Sequence, residues 1–434
     1  MNAKGESKMK AALFLMSAFV AMALAATPQV TVKSVTCDAA SRTVKVVYSL
    51  NETAVVTLSV ANDGVALAPE KVTRVWGDAN RKVTADDTDK TLWWSALADE
   101  ADVDFAAGKL SVTLTAWAMD ATPDYMAVDL LRPKRVSFYA SAGNVPYGVG
   151  DDRYKTSVLL MKRVYADGVV WRMGSPVGER NRSDREIAHL VKQAQDYYLG
   201  VYEVTQRQYF NIHGSNPSST AQQALPDAPK RPATQLNWGV LRSNSMNGNI
   251  WPDDGHDIPD ATRPLVKLRT LSGIGDFDLP TEAQWEYACR AGVGAAMYNG
   301  QEQLDSDVST NANALGWYKY DVPEAAPQPV GLKEPNDWGF YVMLGNVWEL
   351  CIDWYAEGKD YFDTEKLDPC VPIVEPQGAI TNVYDYCVRV GGSYNDPVKD
   401  LRSATRTKAE RAAGNKEMWG FRLWCGADFS DDTF

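Results

Sequence analysis

The sequence predicts an α+β chain, in which a small antiparallel β-sandwich precedes a larger, loop-rich region of short strands and few helices. Three observations carry this. Apolar and polar residues alternate in "VTVKSVTC", "TVKVVYSL", "AVVTLSV" and "KLSVTLTAWAM", the period of a half-buried strand. Turn residues separate or end these runs, at Asn62-Asp63-Gly64 and Asp120-Ala121-Thr122-Pro123. From about residue 157 the strands shorten and Gly, Asn and Trp crowd long connections, so that region must be held by loop packing, disulfides or bound ions.

Residues 1–26 read as a secretory signal peptide. Lys4, Lys8 and Lys10 form a basic region, "AALFLMSAFVAMALA" an apolar core, and small residues offer a cleavage site. Met9 is an alternative start. The apolar stretch is short for a stable span and no second run of ~20 apolar residues follows, so no transmembrane span is expected. The predicted location is secreted, periplasmic or cell-surface.

The remaining order follows from the patterns. Residues 27–135 form the sandwich, which contains no histidine and reads as a spacer or adhesion module. Residues 136–156, with the polar "SAGNVPYGVGDDRYK", read as a linker, 157–426 as the second domain and 427–434 as a tail. Within the second domain "DYYLGVYEV" is a strand, and Thr205 caps the helix "QRQYFNI". Pro280 stops a strand, Thr281 and Gln284 make a capping box, and Gly292 ends the helix. Trp285, Ala288 and Cys289 share one face of it, making Cys289 a core or disulfide residue rather than a nucleophile.

Composition excludes some functions. A net charge of -12, from 44 basic against 56 acidic residues, argues against nucleic-acid binding, which needs a basic patch to displace counterions. The 14 Trp and 20 Tyr suit loop-rich cores and carbohydrate-facing surfaces. Six cysteines (Cys37, Cys289, Cys351, Cys370, Cys387, Cys425) leave the disulfide pairing open, with Cys37 expected as a buried free thiol. No CxxC is present, so a zinc knuckle or thioredoxin-like site is not expected. The three histidines, His189, His213 and His256, are too scattered for a Ser-His-Asp hydrolase. A hydrogen-bonding role is expected for His189.

The ordered segments "WRMGSP", "EIAHLV", "YYLGVYEVTQRQY", "RPATQLNW", "LPTEAQWEYACRAG", "PQPVGLKEPNDWGFYVMLGNVWELCIDWY", "RVGGSY", "LRSATR" and "WGFRLW" together resemble the formylglycine-generating enzyme (sulfatase-modifying factor) family across about 157–426. The resemblance implies an irregular C-type-lectin-like domain. In family members that oxidise a sulfatase cysteine to formylglycine, two cysteines just after GGS hold copper, a soft ion that needs thiolates. Here "GGSYNDPVKDLRSATR" has none, so copper is not expected, and Cys387 or Cys425 would have to enter the site to restore it. Relatives that act as sulfoxide synthases add a His-rich helical domain, which this chain lacks.

Other expectations also follow from the resemblance. Gly345, Val347 and Glu349 match a calcium site of main-chain carbonyls and a glutamate, the oxygen set that calcium prefers. Val342 replaces an asparagine ligand there. Trp348, Tyr394, Asn395, Asp396 and Lys399 would line the substrate groove, with Asp400 beside them. Arg402, Arg406 and Arg422 would join the groove or lock loops by pairing carboxylates. The polar "NDPVKD" and "KAERAAGNKEM" stretches suit a ligand-binding surface. The resulting expectation is non-catalytic binding of an extracellular glycan or protein. The alternative is an oxidoreductase that matures sulfatases, or another cofactor-dependent enzyme on the same scaffold.

Overall fold

The computed structural model describes residues 27–242, 261–302, 308–355, 386–410 and 417–434. The segment 1–26 read as a signal peptide, His256 and Cys370 lie outside the described residues.

The alternating runs become the two sheets of a sandwich. Strands Val30–Asp38, Thr43–Leu50, Lys90–Ser95 and Val75–Gly77 form one sheet. The other is built on Ala54–Asn62, which pairs with Val65–Ala66, Lys82–Val83 and Leu110–Trp117. Val44, Val46, Tyr48 and Leu50 point inward from a single strand and meet Val56, Leu58, Leu92 and Trp94. Asp63 and Gly64 both take positive φ, 52° and 79°, which lets the two-residue turn match the strand twist. Cys37 is exposed rather than buried, because its strand lies at the sheet edge with most of its residues solvent-facing.

The sandwich ends earlier than its alternation suggests. Tyr125–Asp129 and Val136–Tyr139 pair with each other, and Tyr125–Asp129 also pairs with Val158–Val164. A five-stranded sheet results, in the order 136–139, 125–129, 158–164, 197–200, 424–426. Both strands therefore belong to the second domain, and 136–156 is not a linker. That stretch holds a strand, two 3-10 turns and the buried side chains Val145 and Tyr154. A period of two identifies a strand but not its partner, which is why the boundary is misplaced by sequence reading.

A second sheet of the same domain orders Arg406–Glu410, Tyr386–Val390, Trp348–Trp354 and Trp419–Gly420, antiparallel except for the last pair. Helices Gln206–His213 and Glu282–Arg290 begin as the sequence predicts. Thr205 with Gln208, and Thr281 with Gln284, each form a complete capping box. Trp285, Ala288 and Cys289 face the core together. The helix that carries them is closed by Ala291 in the left-handed region, one residue before Gly292.

Residues 427–434 are packed, not a free tail. The Phe429 ring lies 5.5 Å from Phe138, and Phe434 6.0 Å from it. Lys82 of the sandwich donates to the Asp432 carbonyl at 2.7 Å, and Phe138 N–H donates to the Asn80 carbonyl at 2.8 Å. Aromatic burial and these hydrogen bonds join the two domains. Among the described residues no disulfide contributes.

Candidate functional site

The GGS turn needs its glycines. Gly391 and Gly392 have φ of 88° and 81°, and a Cβ would meet the Met343 carbonyl at 2.9 Å or the Asp400 carbonyl at 2.9 Å. Only glycine takes this conformation without strain. The chain then folds over itself. Tyr394 N–H donates to the Asn346 carbonyl at 2.8 Å, and Asp396 N–H to that of Ser393 at 3.1 Å. The Trp348 indole donates to Asp396 Oδ2 at 2.7 Å, and the Ser393 hydroxyl donates to the same oxygen. Val398 and Leu401 anchor the segment in the core.

This arrangement sorts the eight predicted groove residues. Asn395 and Lys399 are exposed and Asp396 is half-buried, forming a rim. Trp348 and Tyr394 lie beneath it, largely buried. Burial, and then the charges of Glu417 and Asp396, push the Tyr394 hydroxyl up to about 12. The three arginines point inward instead. Arg402 binds Glu186 through both carboxylate oxygens, at 2.6 and 2.8 Å, and reaches Glu179 at 2.9 Å. Arg406 holds Glu282 at 2.5 and 3.1 Å. Arg422 holds Glu349 at 2.8 and 3.1 Å and is fully buried. A planar guanidinium matches a carboxylate bidentately. Of the two roles open to these arginines, groove lining and loop locking, the geometry matches the second.

The calcium motif does not fit an ion at Glu349. One of its oxygens accepts from Arg422, and the other accepts from Arg422 and from the Trp285 indole at 2.7 Å. A cation already neutralises the carboxylate that calcium would need. The Asn346 amide is committed as well, to Gln328 and Glu203. Val342, at the departed asparagine position, takes a φ of 51°. Gly345 also turns left-handed, and a Cβ there would lie 2.2 Å from the Trp317 carbonyl.

A copper pair does not fit the thiols either. Cys387 and Cys425 stand in different sheets. The Cys387 thiol lies 3.6 Å from the Ala409 carbonyl, and that of Cys425 3.1 Å from Asp276 Oδ1. Burial, then the Asp276 charge, pushes the Cys425 thiol well up, away from the thiolate that metal binding requires. Among the described residues no group of three or more His, Cys, Asp or Glu is placed to hold a metal. His189 Nδ1 lies 2.8 Å from the Ile187 carbonyl.

Sequence reasoning missed three residues. Glu203 is buried beside Glu349, and burial followed by the Glu349 charge raises its carboxyl well above the usual range. Its only signal was a glutamate inside the apolar run "LGVYEV". Arg389 lies between two indole rings, its guanidinium carbon 4.6 Å from the Trp348 centroid and 4.9 Å from that of Trp419. A lone charge in the strand "YCVRV" marked it. Trp419 sits directly opposite Trp348 in the sheet, a pairing that only the fold reveals.

Residues 160–425 match the family described as the sulfatase-modifying factor enzyme 1-like domain, more than half of the chain. The chain is 35% identical over 276 residues to the serine/threonine-protein kinase pkn1 of Chlamydia pneumoniae, covering 62% of this chain and 38% of that protein. It is 36% identical over 208 residues to the formylglycine-generating enzyme of Thermomonospora curvata, covering 44% of this chain and 64% of that one. The solved structure of PvdO from Pseudomonas aeruginosa aligns at 20% identity with a TM-score of 0.48, over 62% of this chain and 94% of that chain. The chain thus spans less than two thirds of the length of either curated relative. The match covers the GGS turn, its rim and the buried Arg–Glu pairs, and through residues 160–425 this chain belongs to the sulfatase-modifying factor family.

Proposed function

We propose that this chain is an exported protein whose sulfatase-modifying-factor domain binds an extracellular glycan or protein at the rim above Trp348 and Tyr394, without catalysis. One observation carries the reading. Residues 394–400, where the oxidising relatives place their copper thiolates, are Tyr, Asn, Asp, Pro, Val, Lys and Asp. Asn395, Asp396 and Lys399 of that stretch make a polar rim on the turn, and Cys37, Cys289, Cys351, Cys387 and Cys425 all lie outside it. Polar groups convergent on aromatic rings suit recognition. Export rests on the basic and apolar pattern of the first 26 residues.

Glycan and protein arrays probed with the full chain test this reading, with Asn395→Ala/Asp396→Ala as the control. Ligands lost on the variant support it, and a rim substitution without effect on any bound ligand overturns it. A second reading, maturation of sulfatases by oxidation of a target cysteine, is favoured by the identity to a formylglycine-generating enzyme. Mass spectrometry of a Cys-x-Pro-x-Arg peptide, incubated in air with copper-treated protein, separates the two. An aldehyde product would establish the oxidase.

A further inference from the structure

Arg389 differs from the other buried arginines of its domain. Arg163, Arg242, Arg290, Arg402, Arg406 and Arg422 all pair with carboxylates. Arg389 is stacked between Trp348 and Trp419 and makes no ion pair or hydrogen bond among the described residues. Its Nε is buried without an acceptor, and so is the Trp419 indole Nε1 beside it. Stacking on rings offsets part of the desolvation of a guanidinium but leaves the buried Nε–H unsatisfied, a standing cost in a protein interior. The residue is half-buried and lies within electrostatic reach of Asp396 and Asp400 of the rim segment.

We propose that Arg389, clamped between Trp348 and Trp419, is the receptor for the carboxylate of an acidic sugar, which deepens the binding reading and rests on it. A carboxylate is the planar, bidentate complement of a guanidinium. Asp396, Asp400 and Glu417 stand around the site, the first two near Arg389 and Asp396 and Glu417 near Tyr394. Those charges disfavour a ligand with many negative groups, such as an acidic peptide or a phosphorylated one. A ligand with a single carboxylate meets the least repulsion, and its hydroxyls can donate to the acidic neighbours. Asp396 Oδ2 is filled by Trp348 and Ser393, leaving Oδ1 to accept from a hydroxyl, with Asn395 and Lys399 exposed alongside.

The test is calorimetric titration of the full chain with a glucuronate-terminated disaccharide, its neutral glucose counterpart and a glutamate-containing peptide. Arg389→Ala and Arg389→Lys are titrated in parallel, with circular dichroism confirming their fold. The acidic sugar is expected to bind at least about tenfold more tightly than the neutral one, with a change in indole fluorescence. Arg389→Ala abolishes that difference. Arg389→Lys, which keeps the charge and stem and serves if the alanine variant is unstable, loses most of it. Equal binding of the acidic and neutral sugars overturns the inference while leaving the binding reading intact. Binding of the peptide alone overturns it in favour of a protein ligand. Failure of every saccharide to bind overturns it and removes the glycan half of that reading.

Discussion

Arg422 grips Glu349 through both carboxylate oxygens while its remaining nitrogen donates to the Gly200 carbonyl at 2.8 Å. One buried guanidinium thus joins the sheet of 348–354 to that of 197–200. Removing one partner of such a pair strands a buried charge, at about 3–5 kcal/mol. Arg422→Met is expected to lower stability by that amount in chemical denaturation, and Arg422→Met/Glu349→Leu to recover part of it. A double-variant loss equal to the sum of the Arg422→Met and Glu349→Leu losses would mean the pair is not coupled.

The same geometry makes an expectation for calcium. With Glu349 neutralised by Arg422, millimolar calcium should leave the melting temperature where EGTA leaves it. A rise that Glu349→Gln removes would show that the pair opens to admit the ion.

Asp353 sets a pH dependence. Burial, then the charge of Glu282, raises its carboxyl to about 8 from an unfolded value near 4. The folded state holds a proton that the unfolded state releases, so stability from this group is fully present below about pH 4. It falls as pH rises through the window up to about 8. Asp353→Asn keeps an oxygen for the Glu282 N–H, which Asp353 accepts at 2.6 Å, and should flatten that slope in melts between pH 5 and 8. An unchanged slope would place the titration elsewhere.

The GGS turn is expected to be intolerant of side chains. Gly392→Ala meets the Asp400 carbonyl at a left-handed φ, and should cost about 2 kcal/mol or more. Because Asp396 sits on the same turn, rim-dependent ligand binding should weaken with it. Gly108→Ala, also left-handed but in open space, is the control and should cost less.

Removing the Thr281 cap should be mild by comparison. Thr281→Ala frees the Gln284 N–H, which it accepts at 3.1 Å, for a loss of about 1 kcal/mol. Thr281→Ser should restore most of it.

Local rules were the legible part of this sequence. Alternation gave Thr43–Leu50 its inward face, and the Thr205 cap and the Thr281–Gln284 spacing placed the starts of Gln206–His213 and Glu282–Arg290. These depend on residues a few positions apart. The nearness of Trp348 to the Asn395–Asp396 turn was legible because motifs surround them. For Arg402, Arg406 and Arg422 carboxylate pairing was one of two roles foreseen, but not the partners Glu186, Glu282 and Glu349, which lie 216, 124 and 73 residues away. Direction of a long side chain is a tertiary property. Distant partners likewise hid Tyr125–Asp129, allotted to the sandwich, and Val136–Tyr139, allotted to a linker, and the Trp348–Arg389–Trp419 stack.

The pairing of 424–426 with 197–200, and of Phe429 with Phe138, has a consequence for how the chain is made. Early segments of the second domain wait for partners more than two hundred residues downstream, Tyr198 for Cys425 and Phe138 for Phe429. The sheet at residues 125–200 therefore cannot be finished on a ribosome until the last segment has emerged. Such distant closures make folding slow. The sandwich, whose strands are all in hand by residue 117, can form well before its larger neighbour.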